Sequence, residues 1–266
     1  MIKAVIMVTG SAMALYALVL AAFYLFQGKM IFFPGLARFG DCPDMEGRGA
    51  KAESFGDIRY YIQKSLSPEQ WIIIFHGNAG NAGNACDRAY FLDLLEGFPA
   101  NRVVFEYPGF GRDGKKPGES VILEGALVLV RHIRSLDPGL PVYLMGESLG
   151  TGVAAFVASQ TPVDGLILVS AYPSLARVAR HHYPWLPVHW LMKHRFEASA
   201  WAGETPALLF HGAADDIIPI RFAREQLACF KGEKSLVEIP GAGHNDITDA
   251  GAGLIREKIR SFITQP

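Results

Sequence analysis

The residues best placed to do chemistry are one serine, one histidine and a pair of aspartates. Ser148 sits in Gly146-Glu147-Ser148-Leu149-Gly150, a Gly-x-Ser-x-Gly stretch. The apolar run Pro141–Met145 precedes it and the small, apolar Thr151–Ala158 follows at helical spacing. Strand, sharp turn and helix are the context in which this pentapeptide presents a nucleophile. The turn forces the serine into a strained backbone, and a Cβ at either glycine would strike a neighbouring element. The hydroxyl then stands at a helix N-terminus, where positive partial charge collects.

A serine nucleophile needs a base, a group to orient that base, and donors for the developing oxyanion. His244, in Gly241-Ala242-Gly243-His244-Asn245-Asp246, lies in a glycine-rich loop between the last strand and the last helix, where an imidazole can reach Ser148. The acid has two adjacent candidates, Asp215 and Asp216, after the strand 207–210; the chain order Ser, Asp, His suits this type of sheet. Asp246 is too near His244 along the chain to orient it and reads as a loop hydrogen-bonder. One oxyanion donor is expected from the N–H of Leu149. The other is expected from Asn78, in the loop His76-Gly77-Asn78 that follows an early strand.

Other chemistry-bearing residues fit simpler roles. His76 and His211 end strands, and His132 falls in a helix. His181, His182, His189 and His194 match no standard metal-ligand spacing, so no metal or cofactor is expected. Gly77, Gly80 and Gly83 lack the Gly-Lys-Ser/Thr of a phosphate cradle. Gly109-Phe110-Gly111-Arg112-Asp113-Gly114 imitates a dinucleotide fingerprint, but Lys115-Lys116-Pro117-Gly118 follows in place of a helix.

These groups are carried by an alternation of strands and helices. Expected strands are 58–63, 71–75, 102–107, 141–145, 165–169, 207–210 and 235–239; expected helices are 85–96, 119–136, 148–160, 221–230 and 253–263. Strands such as Ile72–Phe75 and Leu166–Val169 are apolar on both faces, which marks a mainly parallel sheet covered by helices on both sides. That is a doubly wound α/β fold, with its ligand site at the carboxyl ends of the strands. A proline-divided segment of more than 30 residues interrupts the rhythm between 169 and 207, and a loop of that length reads as a small helical cap, placed within 172–204.

The chain has 266 residues and a net charge of -1, with no basic stripe, so nucleic acid is not an expected partner. Cys42, Cys86 and Cys229 are odd in number and far apart; they form no disulfide framework, although one pair could bridge in an oxidising compartment. Residues 4–26 are an uncharged apolar run. A helix of that length covers roughly 35 Å, enough for a ~30 Å hydrocarbon core. The run extends beyond an ordinary signal core and is apolar on all faces, which favours an uncleaved single-pass anchor over 1–27 to a cleaved signal or a buried helix. Flanking positive charges are nearly balanced, leaving the membrane side open. Residues 28–50, rich in glycine and proline, read as a linker to a catalytic domain over 51–266.

The motif set as a whole, His-Gly-Asn-Ala-Gly-Asn (76–81), Tyr-Pro-Gly-Phe-Gly-Arg (107–112), Gly-Glu-Ser-Leu-Gly-Thr-Gly (146–152), His-Gly-Ala-Ala-Asp-Asp-Ile-Ile-Pro (211–219) and Gly-Ala-Gly-His-Asn-Asp (241–246), resembles the membrane-anchored serine hydrolases with an α/β-hydrolase domain. The resemblance covers roughly residues 30 to 264. It implies the α/β-hydrolase fold, and it matches Ser148 to the nucleophile, His244 to the base and Asp215, rather than Asp216, to the acid. The reaction it implies is hydrolysis of a carboxylic ester or thioester, with an acyl or lipid-like substrate suggested by the anchor. The alternatives are aminopeptidase-like amide hydrolysis on the same residues, and a non-catalytic membrane scaffold.

Overall fold

The computed structural model describes residues 1–35, 38–78, 86 and 89–264. The chain opens with helix α1 (Ile2–Ile31), followed by the short α2 (Pro43–Gly47) and strands β1 (Lys51–Phe55), β2 (Ile58–Gln63) and β3 (Gln70–Phe75). Then come α3 (Tyr90–Leu94), β4 (Ala100–Glu106), α4 (Glu119–Leu136), β5 (Val142–Glu147), α5 (Leu149–Gln160) and β6 (Gly165–Val169). The chain closes with α6 (Leu175–His182), α7 (Val188–Leu191), β7 (Ala207–Gly212), α8 (Arg221–Cys229), β8 (Lys234–Ile239), α9 (Ile247–Ala250) and α10 (Ala252–Ile263).

The strands form one eight-stranded sheet in the order β1-β2-β4-β3-β5-β6-β7-β8. The β1–β2 and β2–β4 pairings are antiparallel, and the remainder are parallel. This is the expected doubly wound α/β-hydrolase architecture. Successive side chains on a strand point to opposite faces, so the apolar strands feed two cores. Ile73, Phe75, Leu144 and Leu168 pack with Ala126 and Leu129 of α4 and Val153 of α5. Ile72, Ile74, Met145 and Ile167 pack with Phe91 of α3 and Ile255 and Ile259 of α10.

Four features add to or depart from expectation. Strand β1 was not foreseen: all five of its residues are exposed, so it carries no alternation of apolar residues. Within the expected helix 85–96 the described residues include α3 (Tyr90–Leu94); residues 79–85 and 87–88, which include Gly80 and Gly83, lie outside the described residues. The 28–50 segment is packed rather than a free linker. Helix α1 runs on to Ile31, α2 forms within the segment, and Phe32, Cys42, Met45 and Ala50 are buried. Finally, Cys42 and Cys86 form a disulfide, leaving Cys229 free.

The cap is the β6–β7 crossover, with α6 and α7 as its helices. Its return to the sheet is pinned by Glu119 at the start of α4, whose carboxylate accepts hydrogen bonds from Arg195 N (2.6 Å) and Phe196 N (2.9 Å). Burial raises the Glu119 carboxyl above its usual range, even though those two N–H groups act in the opposite direction. Helix α1 lies against this cap. Gln27 donates to Leu191 O (3.0 Å) and accepts from Lys193 N (2.7 Å), and the Lys193 ammonium sits 3.7 Å from the Tyr24 ring centre. Residues Val5–Ile31 are long and apolar enough to cross a membrane.

Candidate active site

Each expected group stands at the carboxyl edge of the sheet. Ser148 follows β5 directly, with φ 49° and ψ −117°, a positive φ that a residue with a side chain rarely adopts. Its N–H donates to Val169 O at 2.8 Å, which helps hold the turn against β6. The glycines are sterically required. A Cβ on Gly150 would lie 2.0 Å from Phe75 O, and one on Gly146 would lie 2.4 Å from Gly150 O.

Ser148, His244 and Asp215 form one hydrogen-bonded line. His244 Nε2 is 3.1 Å from Ser148 Oγ, and His244 Nδ1 is 2.8 Å from Asp215 Oδ2. The structure brings Asp215, and not Asp216, to the imidazole: the Asp215 side chain is fully buried, whereas Asp216 is exposed. The other Asp215 oxygen, Oδ1, accepts from Ile217 N (3.0 Å) and Ile218 N (2.7 Å). Burial alone would push this carboxyl up. The His244 hydrogen bond and charge, the Ile218 N–H and nearby His211 outweigh it, and the group is held below its usual range.

His211 serves the structure, as expected. Its Nε2 lies 2.7 Å from Ile218 O, on the turn that feeds Asp215, and burial lowers its pKa. Asp246 shapes the histidine loop, accepting from Gly243 N at 2.7 Å. The cap histidines do not gather: no group of three or more His, Cys, Asp or Glu suited to a metal ion occurs among the described residues.

A cavity of about 290 Å³ opens onto Ser148 and His244, and Gly77, Asn78, Leu149 and Tyr172 contribute to its walls. The two residues expected to supply oxyanion donors thus face the same space as Ser148. Three contacts that sequence reasoning missed set this loop. Glu147, at the first of the two unspecified positions of the pentapeptide, accepts from Gly77 N (3.2 Å) and from Tyr90 OH (2.6 Å). Tyr107 stacks on His76 at 3.8 Å and donates to its carbonyl oxygen at 2.7 Å. Asn78 donates through Nδ2 to Ile31 O (2.9 Å), and its carbonyl accepts from Phe33 N (3.2 Å). The juxtaposition of Glu147 with the serine is a signal the pentapeptide carries. The Ile31 contact has none, because it joins two segments far apart in the chain.

The family described as serine aminopeptidase, S33, matches residues 67–200. An uncharacterised protein of Mycobacterium tuberculosis is 29% identical over 267 residues, covering 95% of this chain and 94% of that protein. The lysophosphatidylserine lipase ABHD12 of Danio rerio is 28% identical over 200 residues, covering 68% of this chain and 52% of that protein. This chain therefore spans about half of that lipase. Among solved structures, Est1E from Butyrivibrio proteoclasticus superposes with a TM-score of 0.62 at 15% identity, covering 81% of this chain and 99% of that one. The monoacylglycerol lipase of Paleococcus ferrophilus gives 0.57 at 22% identity, covering 78% and 99%. Both share the fold.

Proposed function

The chain belongs to the serine aminopeptidase S33 family of α/β hydrolases, and from that premise we propose that it hydrolyses a carboxylic ester or thioester of an acyl, lipid-like substrate through an acyl-enzyme. The observation that carries the proposal is the line Ser148 Oγ, His244 Nε2, His244 Nδ1, Asp215 Oδ2, at 3.1 and 2.8 Å. Ser148 attacks the carbonyl carbon while His244 takes its proton, and buried Asp215 stabilises the imidazolium. The N–H groups of Leu149 and Asn78 hold the oxyanion. His244 then protonates the leaving alcohol or thiol. Water, deprotonated by His244, releases the acid and regenerates Ser148.

Ester rather than aminopeptide hydrolysis is favoured by the cavity wall. An aminopeptidase must hold the α-ammonium of its substrate, for which a free carboxylate is the natural partner. The acidic side chain on the described cavity wall is Glu147, and both its oxygens are engaged by Gly77 N and Tyr90 OH. The lipase and esterase names of the relatives point the same way.

We further read α1 as a retained membrane anchor. A leader cleaved after Val19-Leu20-Ala21 would take with it Tyr16, whose hydroxyl donates to Trp185 O of the cap at 3.0 Å. The Cys42–Cys86 disulfide supports placing the catalytic domain on the oxidising side of the membrane.

The test is labelling with a fluorophosphonate, alongside turnover of an acyl ester, an acyl thioester and an aminoacyl amide by wild type and Ser148→Ala. Labelling and ester turnover that vanish in Ser148→Ala are expected. Equal labelling of the variant refutes the enzyme reading, and amide turnover as fast as ester turnover restores the peptidase.

A further inference from the structure

The reading above leaves the position of the acyl chain open, and a second cavity bears on it. A groove of about 210 Å³ runs between α1 and the cap. One wall is α1 itself, through Phe23, Met30 and Ile31; the other is cap, chiefly Ala179, Leu186 and Leu191. Asn78, Leu175 and Val178 line both this groove and the cavity around Ser148, so the two spaces are neighbours across a shared wall.

The groove is apolar in a specific sense. Its amide and imidazole side chains are already committed. Gln27 joins Leu191 O and Lys193 N, and His182 Nε2 lies 2.8 Å from Ile217 O. What remains is hydrocarbon and ring surface, suited to a hydrocarbon chain and unsuited to a charged headgroup. Its helical wall is also held in place: Asn78 grips Ile31 O at 2.9 Å and accepts from Phe33 N at 3.2 Å.

The depth of α1 in a bilayer sets where the groove opens. Crossing a ~30 Å hydrocarbon core takes about 20 residues at ~1.5 Å each, which counted from Ala4, where the uncharged run begins after Lys3, extends past Tyr16. Yet Tyr16 already touches the cap, its hydroxyl donating to Trp185 O at 3.0 Å, and Phe23 packs 5.8 Å from Tyr183 and 6.1 Å from Trp185. An anchor that spans the bilayer therefore draws this corner of the cap into the interface. Trp190, 84% exposed, and Trp185, 54% exposed, are the residue type that settles there.

Resting on the ester-hydrolase and anchor readings, we propose that α1 is a wall of the substrate site: the acyl chain of a membrane-resident ester lies in the groove between α1 and the cap, with its carbonyl carbon at Ser148. The anchor thereby sets chain-length preference as well as location. The chain enters sideways from the bilayer, and the polar leaving group stays on the aqueous side of Ser148.

Filling the groove tests this. Ala179→Phe narrows it from the cap side and Met30→Trp from the opposite wall, where Met30 is 43% exposed and has room for the larger ring. The readout is the ratio of kcat/KM for p-nitrophenyl laurate to that for p-nitrophenyl butyrate, measured on the full chain in detergent micelles, with the melting transition confirming folding. We expect the ratio to fall at least tenfold in both variants, about 1.4 kcal/mol, equivalent to losing burial of roughly two methylenes. If Ala179→Phe does not fold, Met30→Trp alone carries the comparison. A ratio within twofold of wild type in a folded variant overturns the proposal. A readout independent of turnover separates this from the ester reading: photolysis of a diazirine-tailed fatty acyl ester with Ser148→Ala protein in phosphatidylcholine vesicles. Crosslinks on both Phe23–Ile31 and Leu175–Leu191 support the groove even if no ester is turned over. Crosslinks confined to Ile2–Leu15 refute it even if Ser148-dependent hydrolysis is found.

Discussion

Replacing Asp215 by asparagine should cost about 10⁴-fold in kcat/KM with the fold intact, and the hydrogen bonds around this carboxylate show why. Oδ1 accepts two backbone N–H groups, from Ile217 and Ile218, while Oδ2 faces His244 Nδ1 at 2.8 Å. An asparagine keeps the first pair by placing its carbonyl oxygen at the Oδ1 position. Its NH₂ group must then point at His244, which has to answer with a lone pair on Nδ1. The ring proton moves to Nε2 and points at Ser148 Oγ, where it blocks proton abstraction. The imidazolium that forms during attack also loses its counter-charge. At 2.8 Å and an effective dielectric of about 20, that attraction is ~6 kcal/mol. At about 1.36 kcal/mol per factor of ten, this corresponds to roughly four decades, the size of the loss when a triad aspartate becomes asparagine.

The assay is p-nitrophenyl butyrate turnover at pH 7 to 8 with fluorophosphonate labelling rates measured in parallel, and melting curves showing that the variant is folded. Asp216→Asn is the internal control. Asp216 is exposed and contacts neither His244 nor Ser148, so its variant should stay within about twofold of wild type. An Asp215→Asn enzyme with more than a tenth of wild-type kcat/KM, or an Asp216→Asn enzyme that is more severely impaired, would refute the assignment of the acid and with it the tautomer argument.

Two further outcomes follow from the same structure. Because the Asp215 carboxyl is held below its usual range, its contribution to stability is complete above the unfolded-chain value of about 3.9 and is lost as pH falls through the lower folded value. Urea unfolding at a series of pH values should show a wild-type minus Asp215→Asn difference that is flat from about pH 7 to 5 and shrinks below about 4; a difference that grows on acidification contradicts the depressed value. The Cys42–Cys86 disulfide closes a sequence separation of 44 residues, worth ~4 kcal/mol in the chain-entropy account. Paired Cys42→Ser and Cys86→Ser changes, or a reductant, should therefore lower Tm by several degrees, and maleimide should modify only Cys229 in unreduced, denatured protein; three reactive thiols would show that the bridge does not form.

The placement of Ser148 and its neighbours at the carboxyl edge of the sheet was legible because residues there are constrained for reasons that act locally. Gly146 and Gly150 have no tolerable alternative where a Cβ would meet backbone at 2.4 and 2.0 Å, and β3 and β6 are buried on both faces, so their composition reports their position. Strand β1 lacks that signature because all five of its residues are exposed at the edge of the sheet, even Phe55, which stacks on His132 of α4. Glu147 was passed over for a different reason. Its type is unrestricted by the turn, and its work, holding Gly77 N and Tyr90 OH, depends on two loops that meet only in the folded chain. Residues 28–50 read as a linker because their glycines and prolines disfavour long elements. Burial of Phe32, Cys42 and Met45 against the domain arises from tertiary contact and the bridge to Cys86, neither of which leaves a periodic trace.

The N-terminal helix shows the same limit in sharper form. A helix that buries one side against protein and the other against water advertises the boundary as an apolar stripe. Helix α1 is apolar on all sides over most of its length, and lipid accepts the same side chains that a protein groove does. Its composition therefore says that it is shielded and nothing about what shields each face. The buried polar side chain near its carboxyl end, Gln27, is informative: 7% exposed, it uses both ends of its amide to join the cap at Leu191 and Lys193. A buried amide would cost more than it returns if that face met only hydrocarbon tails. On the anchor reading proposed above, its place in the sequence marks the turn at which α1 leaves the lipid and joins the folded domain. That turn lies one helical repeat before Ile31, whose carbonyl oxygen accepts a hydrogen bond from Asn78 Nδ2 at the rim of the Ser148 cavity.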